Sequence, residues 1–217
     1  VVPRYSGIRS LLTTGDYFNA DFGYHVIPHE YDLFDDEAFE ANPMEFVCVC
    51  TDVETGQPVY KRLMTAGDTT YDYIRASASM PLVSKVVELE GRKLLDGGVS
   101  DSIPLEWAEQ NGYERNVVIL TQPAGYQKRR SRLMPLMRIG LRKYPQMVEA
   151  MNRRHLMYNR QLEYVAEAER QGRCLVIRPD DKLDIGHVCH NPEQMERIYQ
   201  TGRQMGERRI KEIKEYL

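Results

Sequence analysis

Few residues of this chain could do chemistry, and the best placed are Asp96-Gly97-Gly98. They stand where a short apolar stretch, residues 86–95 (VVELEGRKLL), runs out. A carboxylate at the end of a buried strand is held rigidly, and glycines after it let a substrate or a neighbouring hydroxyl come close. Such an acid can act as general base to a nucleophile within hydrogen-bond reach. The same triplet is also ordinary turn chemistry, because glycine reaches positive φ and aspartate bonds its own backbone. On the triplet alone, the turn is the commoner outcome.

Two further groups have both a chemical and a structural reading. His187, Cys189 and His190 fall in one four-residue run, HVCH. No second His or Cys pair at a familiar spacing completes a tetrahedral set, so no metal site is expected. His187 or His190 could instead line a pocket. His155 lies on an apolar helical stripe and is expected in a core, while His25 and His29 sit in loop text without a visible partner. The segment 128–143 carries Lys128, Arg129, Arg130, Arg132, Arg138, Arg142 and Lys143 among Leu, Met and Ile. A basic amphipathic segment can lie on an anionic membrane surface. The commoner arrangement is a solvated loop leading into a helix that buries its apolar face in its own protein. No stacking aromatics are interleaved, so nucleic acid is not expected as a partner.

The elements that must position these groups can be read locally. Asp35 is placed to cap a helix over 36–41. Residues 44–53 read as a buried strand, uncharged between Phe46 and Thr51 and paired back through the turn Glu54-Thr55-Gly56-Gln57 as a hairpin. A helix over 68–79 must stop before Met80-Pro81. Two short strands follow around Glu90-Gly91, and Pro104 opens a helix that Gly112 ends. Residues 115–123 read as a strand covered on both faces. Val148, Met151, His155, Tyr158, Leu162 and Val165 share one face of a long helix ended by Gly172. A strand over 173–179 comes next. In the last helix Asn191 caps, Pro192 fits the first turn, and Gln194 is placed for a capping-box contact. Met195, Ile198, Tyr199, Met205, Ile210 and Ile213 form its apolar stripe, with Gly202 and Gly206 spaced for close approach of another element. The alternation predicts an α/β fold: a three-layer, largely parallel sheet with helices on both faces and edge hairpins.

At 217 residues, one domain over 1–217 is expected. A net charge of −3 argues against a dedicated nucleic-acid binder. No apolar run approaches the roughly 20 residues that span a bilayer. Cys48, Cys50, Cys174 and Cys189 read as reduced thiols of a cytoplasmic protein. The chain opens on loop-like text at Val1-Val2-Pro3, as an N-terminally truncated chain would.

Taken together, the central segment resembles the patatin-like phospholipase family, especially its small bacterial members. A helix ends in a small-residue and Pro loop, Ala76-Ser77-Ala78-Ser79-Met80-Pro81. A hairpin then delivers Asp96-Gly97-Gly98, and a polar turn leads into a Pro-led helix at Asp101-Ser102-Ile103-Pro104. The resemblance covers most of residues 8–130. It implies a serine acyl hydrolase with a Ser–Asp dyad, a lipid or ester substrate and no cofactor. Asp96 would be the base, with Gly97 and Gly98 as its motif. The family's nucleophile sits in a Gly-x-Ser-x-Gly elbow, and its oxyanion hole in a glycine-rich loop. Neither motif occurs in these 217 residues. Ser77 and Ser79 lack an elbow context, so the serine is expected outside this chain, which alone would be inactive. The alternatives are a non-catalytic lipid- or partner-binding module of the same fold, or a Cys/His metal site at His187.

Overall fold

The computed structural model describes residues 5–186 and 189–217. The chain divides into two compact units, residues 1–102 with 130–157 and residues 103–129 with 158–217.

In the first unit a four-stranded sheet is built from β1 (Phe46–Asp52), β2 (Pro58–Leu63), β3 (Val87–Leu89) and β4 (Arg92–Asp96) in the order β2-β1-β4-β3. Every pairing is antiparallel. The expected largely parallel sheet is therefore not what these strands form. The reason lies in the links: β1–β2 and β3–β4 are joined by turns too short for a crossover, and parallel neighbours need a dozen or more residues between them. The tighter turn has Glu90 at φ 48° and Gly91 at φ 76°. Positive φ at both central residues is the type I′ geometry that matches strand twist.

Leu94 and Leu95 show how the sheet is held. Successive strand residues point to opposite faces, and these two enter different cores. Leu94 packs with Cys48, Cys50, Tyr73 and Ala76, the last two from helix α3 (Asp68–Ser77). Leu95 packs with Val53, Val99, Met134, Met137, Met147 and Met151. Burying each leucine contributes about 1.5–3 kcal/mol. The methionines come from α5 (Met134–Gly140) and from the first half of α6 (Pro145–Arg170). Ahead of the sheet lie α1 (Ile8–Thr14), a π-helical run (Phe22–Tyr31) and α2 (Asp36–Ala41). Asp35 caps α2 as expected, accepting from Ala38 N at 2.9 Å.

The second unit holds α4 (Leu105–Gln110), a parallel pair β5 (Asn116–Ile119) and β6 (Cys174–Ile177), and α7 (Pro192–Tyr216). Its core joins Ile103, Leu105, Val118, Leu120, Val165, Ala168, Cys174 and Val176. β5 was expected to be covered on both faces, yet Ile119 is 74% exposed. Asn191 caps α7, accepting from Glu193 N at 3.0 Å and Gln194 N at 3.2 Å. Gln194 makes no capping box; its amide donates to Asp184 O at 2.6 Å instead. A Cβ at Gly202 or Gly206 would meet nothing within 4 Å, so the expected close approach is absent among the described residues. Asn191→Ala should cost about 1 kcal/mol, seen as a lower urea midpoint for α7 helicity.

Among the described residues no helix is long and apolar enough to cross a membrane. All four cysteines are free thiols. Burial pushes the Cys48 thiol up to about 11 and, with Cys48 and Asp96 as neighbours, the Cys50 thiol up to about 12. Burial raises Cys174 as well. These three stay protonated at neutral pH, and the thiolate is the reactive form. A thiol reagent should therefore label the half-exposed Cys189 first, and the other three only on unfolding, as mass spectrometry of a time course would read.

Candidate active site

Asp96 is the last residue of β4 and pairs with Cys50 across the sheet. Its backbone is pinned from both sides. Asp96 N donates to Ser79 O at 2.9 Å, and Thr51 Oγ1 donates to Asp96 O at 2.8 Å. Its carboxylate accepts from Gly98 N at 2.7 Å, which closes a 3₁₀ turn over Gly97–Val99. The acid is thus half-buried, at a strand end, with one oxygen fixed.

The two glycines have different reasons to be glycine. A Cβ on Gly97 would lie 2.0 Å from Val49 O, in the backbone of β1. A Cβ on Gly98 would lie 3.0 Å from the Asp96 carboxylate and 3.4 Å from Arg154 Nη2. Both spaces belong to the turn that presents Asp96. Arg154, in the first half of α6, donates from Nε to Gly98 O at 2.7 Å, and Ser102 Oγ donates to the same carbonyl at 2.6 Å. Thr51 Oγ1 and Ser100 Oγ are 2.8 Å apart, and Tyr60 donates its hydroxyl to Asp101. Sequence reasoning missed Arg154, Thr51 and Tyr60. They come from other elements, and nothing in their local text marks them.

Ser77, the last residue of α3, and Ser79, in the loop before β3, are the serines that could be considered as nucleophiles. Ser77 Oγ donates to Val49 O at 2.7 Å, and buried Ser79 donates to Arg75 O at 2.8 Å. Both hydroxyls are thus committed to backbone carbonyls. Ser79 also lines a cavity of about 170 Å³ with Asp16, Tyr24, Arg75, Met80 and Ser84. Arg75 faces Asp16 at 3.8 Å and Asp72 at 3.7 Å. Its Nε is buried and has no hydrogen-bond partner among the described residues.

Residues 6–108, which carry the triplet and everything that pins it except Arg154, match the patatin-like phospholipase profile. Over this segment the chain is similar to the patatin-like phospholipase family. Residues 144–217 match a second family, a domain of unknown function (DUF6363). An uncharacterized protein of Escherichia coli K12, YjjU, is 34% identical over 87 residues, 40% of this chain. The chain spans 24% of that relative's length. In the patatin-like segment the triplet stands at a strand end, with its carboxylate turned onto its own backbone.

The remaining candidates do not join Asp96. His25 bonds Asp72 at 3.2 Å, and the Nδ1 of half-buried His155 has no hydrogen-bond partner among the described residues. His187 and Val188 lie outside the described residues, so the HVCH run is seen only in part. Within it Cys189 donates to Gln194 Oε1 at 3.2 Å. Among the described residues no cluster of three His, Cys, Asp or Glu could hold a metal ion.

Proposed function

We propose that this chain contributes the general base of a cytoplasmic serine acyl hydrolase acting on lipid esters, with Asp96 in that role. The nucleophilic serine and the oxyanion loop are supplied by sequence outside these 217 residues. In the reaction the serine oxygen attacks the ester carbonyl while Asp96 takes its proton. Asp96 then returns that proton to the departing alcohol, leaving an acyl-enzyme. A water, deprotonated by the same carboxylate, releases the acid and regenerates the serine.

One observation carries the reading: Asp96-Gly97-Gly98 lies within the patatin-like match, at the end of β4, and its acid accepts from Gly98 N of its own turn. Two others support it. No Gly-x-Ser-x-Gly occurs in the chain, and Ser77 and Ser79 spend their hydroxyls on backbone carbonyls. Under the same reading, 1–217 is part of one patatin-like domain, and strands carrying the elbow extend its sheet into the largely parallel, three-layer form. Membrane contact through 128–143 belongs to the proposal too.

A second reading has its own observation. The Asp96 carboxylate already accepts from Gly98 N, which a purely structural turn would also do. The chain would then be a non-catalytic lipid- or partner-binding module. The test is ester hydrolysis by the whole natural protein, as wild type and as Asp96→Asn. Loss of hydrolysis with the fold intact supports the hydrolase; unchanged hydrolysis removes Asp96 from the mechanism.

A further inference from the structure

Helix α5 has two apolar sides. Met134 and Met137, with Leu141 just after the helix, are buried in the core of the first unit. Leu133, Leu136 and Ile139 are 57%, 55% and 69% exposed. Leu136 and Ile139, three residues apart, are neighbours on the helix surface, and Leu133 is the residue that leads into it. Single exposed aliphatics are normal, whereas a contiguous group marks an interaction site.

The charges around this group are of one sign. Arg132, Arg138, Arg142 and Lys143 are all exposed and form no ion pair among the described residues. Several arginines elsewhere are matched: Arg153 with Glu149, Arg173 with Glu109, Arg203 with Glu207, Arg209 with Glu212. No Asp or Glu occurs anywhere from 115 to 148, in a chain whose net charge is −3. Local acids therefore cannot neutralise the cluster. Its complement must be apolar at the centre and anionic at the rim. A bilayer with anionic headgroups has both properties, aliphatic side chains entering the acyl boundary while arginines stay among the headgroups.

We propose that the face made by Leu133, Leu136 and Ile139, ringed by Arg132, Arg138, Arg142 and Lys143, docks this protein on anionic lipid membranes. The core face of α5 fixes the helix in the fold, so the face is presented ready-made, with no ordering cost on binding. This docking rests on the membrane contact proposed above for 128–143 and gives that contact a face and a lipid charge; it needs no turnover, so its test is separate from that of hydrolysis.

The test is flotation of the whole natural protein with vesicles. Binding to vesicles of about 30% phosphatidylglycerol in phosphatidylcholine should be at least about 10-fold tighter than to phosphatidylcholine alone. It should be largely lost in about 0.5 M NaCl, where exposed charges are screened. Leu136→Glu with Ile139→Glu should weaken it about 10-fold or more. Arg138→Gln with Arg142→Gln, which leaves the apolar group untouched, should weaken it roughly 10–30-fold. Circular dichroism checks that both variants keep the wild-type fold. Asp96→Asn should bind as wild type does, which separates this proposal from the catalytic one. Equal binding to both vesicle types, no binding, or variants that bind like wild type would overturn it. So would a wild-type dimer that Leu136→Glu splits, which would put a second copy of the chain on this face.

Discussion

Gly97→Ala is expected to destabilise the first unit by about 3 kcal/mol or more, with Tm lower by roughly 6–12 °C. The added carbon would sit 2.0 Å from Val49 O and 2.4 Å from Val49 C. Those are backbone atoms of β1, which pairs with both β2 and β4. A flexible side chain could swing away; a strand held on both sides cannot. Relief requires β4 to separate from β1, and that would break the bond from Thr51 to Asp96 O. Gly91→Ala is the control. Gly91 has φ 76° and open space around a Cβ, so it should lose only about 1 kcal/mol, from backbone strain. Urea unfolding of both variants reads the difference. If Gly97→Ala falls within about 0.5 kcal/mol of wild type, as an unremarkable surface substitution would, the close packing of the turn on β1 is wrong.

What was legible in the sequence is what is decided over a few residues. The Asp35 cap, the Glu90-Gly91 turn and the Asn191 cap each follow from one residue's chemistry, and each is present; the helix expected to run to Ser79 stops at Ser77, two residues short. The pairing of β4 with β1 is different in kind. Alternating strands and helices suggest a parallel sheet, but two of the links are hairpins, and which strand takes the free edge of β1 is a tertiary choice. Periodicity failed where one helix serves two purposes. The apolar residues of α5 read as a core stripe, yet only Met134, Met137 and neighbouring Leu141 enter the core. At the site the sequence marked Asp96, Gly97 and Gly98, because strand end, acid and glycines are contiguous. It could not mark Arg154, which reaches Gly98 O from 56 residues away.

In the whole natural protein, Asp96→Asn should lower ester hydrolysis by about 10²–10⁴-fold, the usual worth of a positioned base, with little effect on folding. The substitution separates the two jobs of this side chain. An amide oxygen can still accept from Gly98 N, so the turn over Gly97–Val99 keeps the 2.7 Å bond that closes it. What the amide cannot do is take a proton from a hydroxyl. Asp96→Ala would remove both functions and could not tell them apart. Gly98→Ala approaches the same question from the other side. Its Cβ would come to 3.0 Å from the Asp96 carboxylate, so the acid would be present but displaced. If Asp96 is the base, both variants lose turnover, Asp96→Asn the more, while thermal unfolding stays near wild type for Asp96→Asn. If the carboxylate only closes a turn, Asp96→Asn hydrolyses ester at the wild-type rate, and Gly98→Ala shows in stability alone. The ratio of the two effects, measured as initial rates on a short-chain ester and as urea midpoints, distinguishes a catalytic acid from a structural one.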